Sequence, residues 1–150
     1  MNWNVARGSR LNAITEFLAG ESADLVLLQE TDTNALRTGY RNIAEELRRS
    51  QLAELLDHTR RYGSDTPVVL AGDFNLDLTE GSVAPGFEEM HFHNPFKDKC
   101  AQTTRSRFRS HGVAIDWILT RGPLDPTSAR VHSSVSASDH YPLSLTLKLS

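Results

Sequence analysis

The stretch "PVVLAGDFNLD", Pro67 to Asp77, decides the fold. Four apolar residues, Val68 to Ala71, run without pause into Gly72, then an acid, an aromatic, an amide and a second acid. An apolar run of this length that ends in turn formers reads as a buried strand. Its tip carries Asp73 and Asn75, two polar groups that must be solvated, hydrogen-bonded or chemically employed.

Working outward, "NWNV" (Asn2 to Val5) reads as a short strand. "SRLNAITEFLAG" follows as a helix with Leu11, Ile14, Phe17 and Leu18 in phase, Ser9 as N-cap and Gly20 as the C′ glycine. "ADLVLLQE" has a continuous apolar run from Leu25 to Leu28, the pattern of a strand covered on both faces. Gly39 to Gly63 is helical, with Tyr40, Ala44, Leu47, Gln51, Leu55, His58 and Tyr62 roughly in phase. "VAIDWILT", "ARVHSSVS" and "PLSLTLKL" supply three more strands, and the chain from Leu78 to Ser110 is loop-rich. Strand and helix alternate at first and strands follow alone, which predicts an α/β domain with mixed sheets.

A length of 150 residues predicts one domain over 1–150. The net charge is -3, so nucleic-acid binding needs a local basic patch. Cys100 is the only cysteine, which excludes an intrachain disulfide and a thiolate metal cage. No apolar run reaches the ~20 residues of a membrane span, and no leader pattern is visible, which points to the cytoplasm and to no membrane partner.

Polar residues collect at the strand ends: Asn4, Glu30, Asp73 with Asn75, and Asp139 with His140 in "SASDHYPL". Asp116 lies within an apolar strand and needs a partner unless it faces solvent. Singly, each has an ordinary reading as a turn cap or a solvated strand end. As a set they are oxygen donors with one histidine. Such donors suit a hard cation, Mg²⁺ or Mn²⁺, and a histidine beside a buried carboxylate suits a general base. Together they describe hydrolysis of a phosphate ester.

The motifs "WNV", "DLVLLQE", "GDFN", "AIDWIL" and "SDHYPL", in that order, resemble the endonuclease/exonuclease/phosphatase superfamily with its DNase I-like fold. The resemblance implies a sandwich of two mixed β-sheets flanked by helices. It implies that Glu30 is the principal metal ligand, with Asn4 and Asp139 beside it. Asp73 and Asn75 would position the nucleophile and the scissile phosphate, and His140 would be the catalytic histidine, oriented by Asp116. The implied activity is a metal-dependent phosphodiesterase, a nuclease on DNA. A phosphomonoesterase, a lipid phosphodiesterase or a catalytically impaired binding module are the alternatives.

The chain departs from the family pattern near Ser50 and Gln51, where two family helices meet directly and the strands between them are missing. This implies a reduced N-terminal sheet and a fused helix of about 22 residues, roughly 33 Å long. A phosphate-contacting histidine is lost with that segment, and His58, His91 or His93 could replace it. Apolar surface left open predicts a homodimer through the first 60 residues. Lys97, Lys99, Arg105, Arg107 and Arg109 form the basic stretch. On an extended strand the three arginines would share one face, either as a phosphate-tracking ridge or as a solvated, aggregation-resistant edge.

Overall fold

The computed structural model describes residues 1–6, 10–30, 55–75, 84–97, 102–105 and 112–150. Their elements are β1 (Asn2–Asn4), α1 (Leu11–Gly20), β2 (Leu27–Gln29), helical residues 55–60 as α2, β3 (Val68–Asp73), α3 (Ala84–Glu89), β4 (Asp116–Arg121), β5 (Leu124–Val131) and β6 (Leu143–Leu149). Two sheets form, ordered β2-β1-β6-β5 and β3-β4. β1 and β2 are parallel, and all other pairs are antiparallel. The first sheet is therefore mixed, and the second is an antiparallel pair among the described residues. The arrangement is an α/β structure with the two-sheet plan of a DNase I-like fold.

A parallel β1–β2 pair needs a crossover, and α1 supplies it. Ile14 of α1, with Phe17 and Leu18, packs on Trp3, Val5, Val135 and Ala137. Trp3 meets Phe17 edge to face with ring centroids 5.4 Å apart. Because strand side chains alternate, Trp3 facing α1 turns Asn2 and Asn4 to the other face. Asn4 accordingly reaches Asp73 of the second sheet, donating from Nδ2 to Oδ2 at 3.1 Å. The pleat of β1 thus decides that the sheets meet through polar groups at this end.

The larger core holds Phe87, Phe92, Phe96, Trp117, Ile118, Leu119 and Leu143. β4 is buried along its whole length. Full burial of each large side chain contributes about 1.5–3 kcal/mol, so β4 anchors the second sheet. Its register with β3 pairs Gly72 with Trp117 and Asp73 with Asp116. After Arg121 the chain leaves one sheet for the other through Gly122, at φ +83°. A Cβ there would lie 2.5 Å from the Thr66 carbonyl oxygen, so this turn requires glycine.

Several elements differ from the sequence reading. Leu25 is 62% exposed and Val26 and Leu28 are each 38% exposed, so this run is not covered on both faces by the described residues. β2 is an edge strand, and no other described strand lies beyond it. Among the described residues β3 is likewise an edge, with Val69 43% exposed. The two N-terminal strands are extended into a four-stranded sheet by β6 and β5. The strand expected in "ARVHSSVS" is β5, which starts earlier, at Leu124, and ends at Val131. The cap of α1 is Arg10, without a side-chain hydrogen bond, and Gly20 is the last helical residue rather than the one beyond it. Ser9 and the proposed helix join at Ser50 and Gln51 lie outside the described residues, and only 55–60 of the long helix is described.

His132 links α1 to the sheet. Its Nε2 lies 2.9 Å from Ser144 Oγ, and its ring meets Phe17 edge to face. Burial holds its pKa below the ordinary value; the Glu21 charge opposes this and the Arg130 charge adds to it. The fold therefore disfavours the protonated ring. Below the ordinary histidine pKa the unfolded chain binds more protons, so His132 supports stability at neutral pH and withdraws that support on acidification. His132→Gln should accordingly lose less melting temperature than the wild type between about pH 7.5 and pH 5. Equal losses in thermal melts at the two pH values would contradict this.

Candidate active site

Three strands end at the same pole, and each turns through the left-handed region within two residues. The residues are Ala6 (φ 47°) after β1, Glu30 (φ 50°) after β2 and Asn75 (φ 53°) after β3. Two of these turns are tied by the last strand residue. Asn4 Oδ1 accepts from the Ala6 amide at 3.0 Å, and Asp73 Oδ1 accepts from the Asn75 amide at 2.9 Å. A short polar side chain bonding two residues ahead stabilises such a turn. Asp73 therefore does cap a turn, and with the Asn4 bond both of its oxygens are engaged.

Opposite Asp73 in register stands Asp116, 1% exposed. Its Oδ2 accepts from Thr103 Oγ1 at 2.7 Å. His140 Nδ1 lies 3.1 Å from Oδ1 and 2.9 Å from Oδ2. Thr103 Oγ1 in turn accepts from the amides of Ile115 and Asp116 at 3.0 Å each. Thr103 is held by its neighbours: the Thr103 amide donates to Val113 O, and Tyr141 N donates to Thr103 O. Gly112 permits that close approach, because a Cβ there would run into the Thr104 carbonyl. The His140 backbone is fixed separately. Its amide donates to Ser138 Oγ at 3.1 Å, and its carbonyl accepts from Trp3 Nε1 at 3.0 Å. Ser138 Oγ also donates to Asn4 O at 2.8 Å, which joins the histidine loop to β1.

Charge is concentrated here. Burial, and then the Asp116 charge, push the Asp73 carboxyl above its ordinary value; the Asn75 amide, His140 and Asn4 counteract only in part. Burial alone would lower His140, but the hydrogen bond and charge of Asp116, then Asp73 and Asp139, outweigh it and hold the ring above its ordinary value. Donor atoms of Asp73, Asp116 and His140 all lie within 4.8 Å of one another. Glu30 and Asp139 do not join that cluster. Glu30 is exposed at the end of β2, one residue beyond Gln29, which pairs with Asn4. Asp139 precedes His140, and its carbonyl accepts the Arg105 amide at 2.8 Å.

The remaining candidates fall elsewhere. Arg105 is half-buried, with Nη2 donating to Val135 O at 2.8 Å and its guanidinium 5.4 Å from the Tyr141 ring centre. Arg105 therefore makes contacts within the fold besides standing at the start of the basic stretch. Arg107, Arg109 and Lys99 lie outside the described residues. His93 pairs through its backbone with Thr120, four residues along β4 from Asp116, roughly 13 Å at strand rise. His91 and Arg121 border one cavity, and the Arg121 guanidinium is bonded to the α2 end that carries His58, so none of the three histidines stands at the Asp116 pole. Thr103, Ser138 and Trp3 were missed as supports of the site. Ser138 and Trp3 stand inside quoted motifs, but Thr103 in "QTT" gives no signal apart from its fold partner.

The family model for the endonuclease/exonuclease/phosphatase family matches residues 1–140. No curated protein matches the chain. An endonuclease/exonuclease/phosphatase from Beutenbergia cavernae DSM 12333 has a similar structure, with a TM-score of 0.58 and 25% identity over 76% of this chain and 34% of that one. A humanized TDP2 of D. rerio gives a TM-score of 0.52 at 18% identity, covering 72% of this chain and 51% of that one. A mannosyl-6-phosphatase from Bacteroides thetaiotaomicron VPI-5482 gives 0.51 at 17%, covering 69% and 46%. The chain thus spans between 34% and 51% of the length of these solved structures. With five motifs in family order, a two-sheet sandwich and a match along nearly its whole length, the chain belongs to the endonuclease/exonuclease/phosphatase family, a family of phosphoesterases and nucleases.

Proposed function

We propose that the chain is a divalent-metal-dependent phosphodiesterase, a nuclease that hydrolyses DNA. The observation that carries this is the His140–Asp116 pair opposite Asp73. With Nδ1 given to Asp116, Nε2 is the ring nitrogen left for proton transfer. Asp116 orients the ring and offsets the positive charge His140 gains on taking a proton from the attacking water. Asp73, fixed by Asn4 and the Asn75 amide, orients that water, and the Asn75 side chain binds the scissile phosphate.

Glu30, Asn4 and Asp139 would hold Mg²⁺ or Mn²⁺. An oxygen donor set without thiolate suits such a cation, and Asp73, held towards its neutral form, is a carboxyl that a nearby cation would return to the ionised form. When bound, the cation neutralises charge that develops on the phosphoryl oxygens. A cage made of Asp73, Asp116 and His140 themselves is the weaker reading. Asp116 and His140 are already bonded to each other, and Thr103 occupies Asp116 as well, so a cation would have to displace that pair. A phosphomonoesterase or lipid phosphodiesterase is the second reading of the substrate, favoured by the internal bond of Arg105 to the Val135 carbonyl.

Three outcomes are expected. Asp116→Asn and His140→Ala should each lower plasmid nicking and chromogenic phosphodiester hydrolysis by about 10²–10⁴-fold while the chain still folds; unchanged rates would remove the base assignment. Saturating Mg²⁺ or Mn²⁺ should raise the melting temperature, about 2.7 kcal/mol of stabilisation at a hundredfold excess over Kd. Glu30→Gln should abolish most of that rise, and a wild-type rise in the variant would disprove the ligand assignment without any turnover assay. Thr103→Val should cost about 1–3 kcal/mol in denaturant unfolding and lower turnover through a mispositioned ring, whereas Thr103→Ser should retain both; equal loss in the two variants would leave Thr103 a packing residue only.

A further inference from the structure

At the far end of β4 from Asp116 lies a second polar centre. Arg121 is five residues along the strand, roughly 16 Å at strand rise, and an odd separation puts it on the opposite face of the sheet. It borders a cavity of about 420 Å³ together with Arg60, Tyr62, Ser64, Glu89 and His91. Cavities of about 300–1,000 Å³ are the size that holds small ligands.

Arg121 is 7% exposed. Its Nη2 donates to Thr59 O at 2.9 Å and Tyr62 O at 3.3 Å, at the C-terminal end of α2, where a cation is favoured. Its guanidinium lies 5.1 Å from the centre of the Phe92 ring. The Nε group, also buried, has no hydrogen-bond partner. Among the described residues no carboxylate forms an ion pair with Arg121. Carbonyl dipoles and an aromatic face offset part of the cost of burying this charge, but a carboxylate would ordinarily do so. Arg60 adds a second guanidinium whose contact to Asp57, 3.7 Å between two exposed side chains, is weak. Tyr62, Ser64 and His91 add further hydrogen-bonding groups, and among the described residues Glu89 is the one carboxylate on the rim. Two guanidiniums against one carboxylate, with hydroxyls and an imidazole between them, make a surface for an oxyanion.

We propose that this cavity binds a phosphate-type oxyanion, at a site separate from the candidate active site. The cavity is roomy enough for a small phosphorylated molecule, and a phosphate of a nucleic-acid strand offers the same chemistry. Arg121 supplies the buried charge, Arg60 the flexible second contact, and Glu89 limits affinity by repulsion.

Calorimetric titration of the full chain in EDTA, with inorganic phosphate, glycerol 3-phosphate and a short single-stranded oligonucleotide as separate probes, tests the site. Arg60→Ala should weaken phosphate binding by about two- to fivefold. Glu89→Gln should tighten it by a similar factor, and neither variant should change hydrolysis of a chromogenic phosphodiester. An oligonucleotide that displaces phosphate identifies a strand as the source. Displacement by glycerol 3-phosphate alone identifies a small ester, and both results support the oxyanion site. Phosphate affinity unchanged in both variants, or crystals soaked in sulfate that show no anion against Arg121, would overturn it. Because the titration reads binding in EDTA, its result stands whatever the hydrolysis assays show.

Discussion

A carboxylate with 1% exposure cannot be left without partners, and Asp116 dictates much of the structure for that reason. Its oxygens are met by a threonine from residues 102–105 and by a histidine from the turn before β6. Those segments must therefore run side by side, which the backbone bridge between Thr104 and His140 records. The histidine turn is held in turn by Trp3 and Ser138, which reach β1. One buried charge thus draws together parts of the chain more than a hundred residues apart. Removing any single partner would leave a buried donor or acceptor unmet, at a cost of about 1–3 kcal/mol.

The neighbouring strand adds the second half of the constraint. Register pairs Asp73 with Asp116, so two carboxyls share one end of the β3–β4 ladder. Burial, and then the Asp116 charge, push the Asp73 carboxyl towards its neutral form, while His140 is pulled towards its cation. The arrangement is poor for stability taken alone. It is what a site needs if it must gather a cation or an anionic substrate, since strain of this kind is released on binding. The left-handed residues that follow β1, β2 and β3 fit the same pattern of local cost at one pole.

Most of this pole was legible in the sequence because it is written at strand ends. "GDFN", "AIDWIL" and "SDHYPL" each deliver a polar group immediately beside apolar residues, and the structure brings Asp73, Asp116 and His140 within reach of one another. Asn4 was legible for the same reason, although the bond it makes to Asp73 follows from the pleat of β1 and not from any local motif. What escaped was set by tertiary contact. Periodicity could not tell that Leu25 to Leu28 lie on an edge, because an apolar run reads alike whether or not a neighbour strand covers it. The contacts of Arg105 with Val135 and Tyr141, thirty or more residues on, likewise leave no trace in the alternating arginines. Thr103 carries no local signal, since a buried hydroxyl acquires its role only from the carboxylate opposite.

The two halves of the site are held to different standards. His140 and Asp116 sit within a hydrogen-bond network anchored on β4, a strand buried along its whole length, so their geometry is set before any ligand arrives. Glu30 ends a strand of three residues at the exposed edge of the other sheet. A short edge strand opens locally at far lower free energy than a central one. Proton transfer demands fixed geometry to a fraction of an ångström, whereas ligation of a hard cation tolerates adjustment in the position of an oxygen donor. On the proposed roles, the fully buried strand would carry the carboxylate that must not move, and the short edge strand the oxygen donor that can adjust.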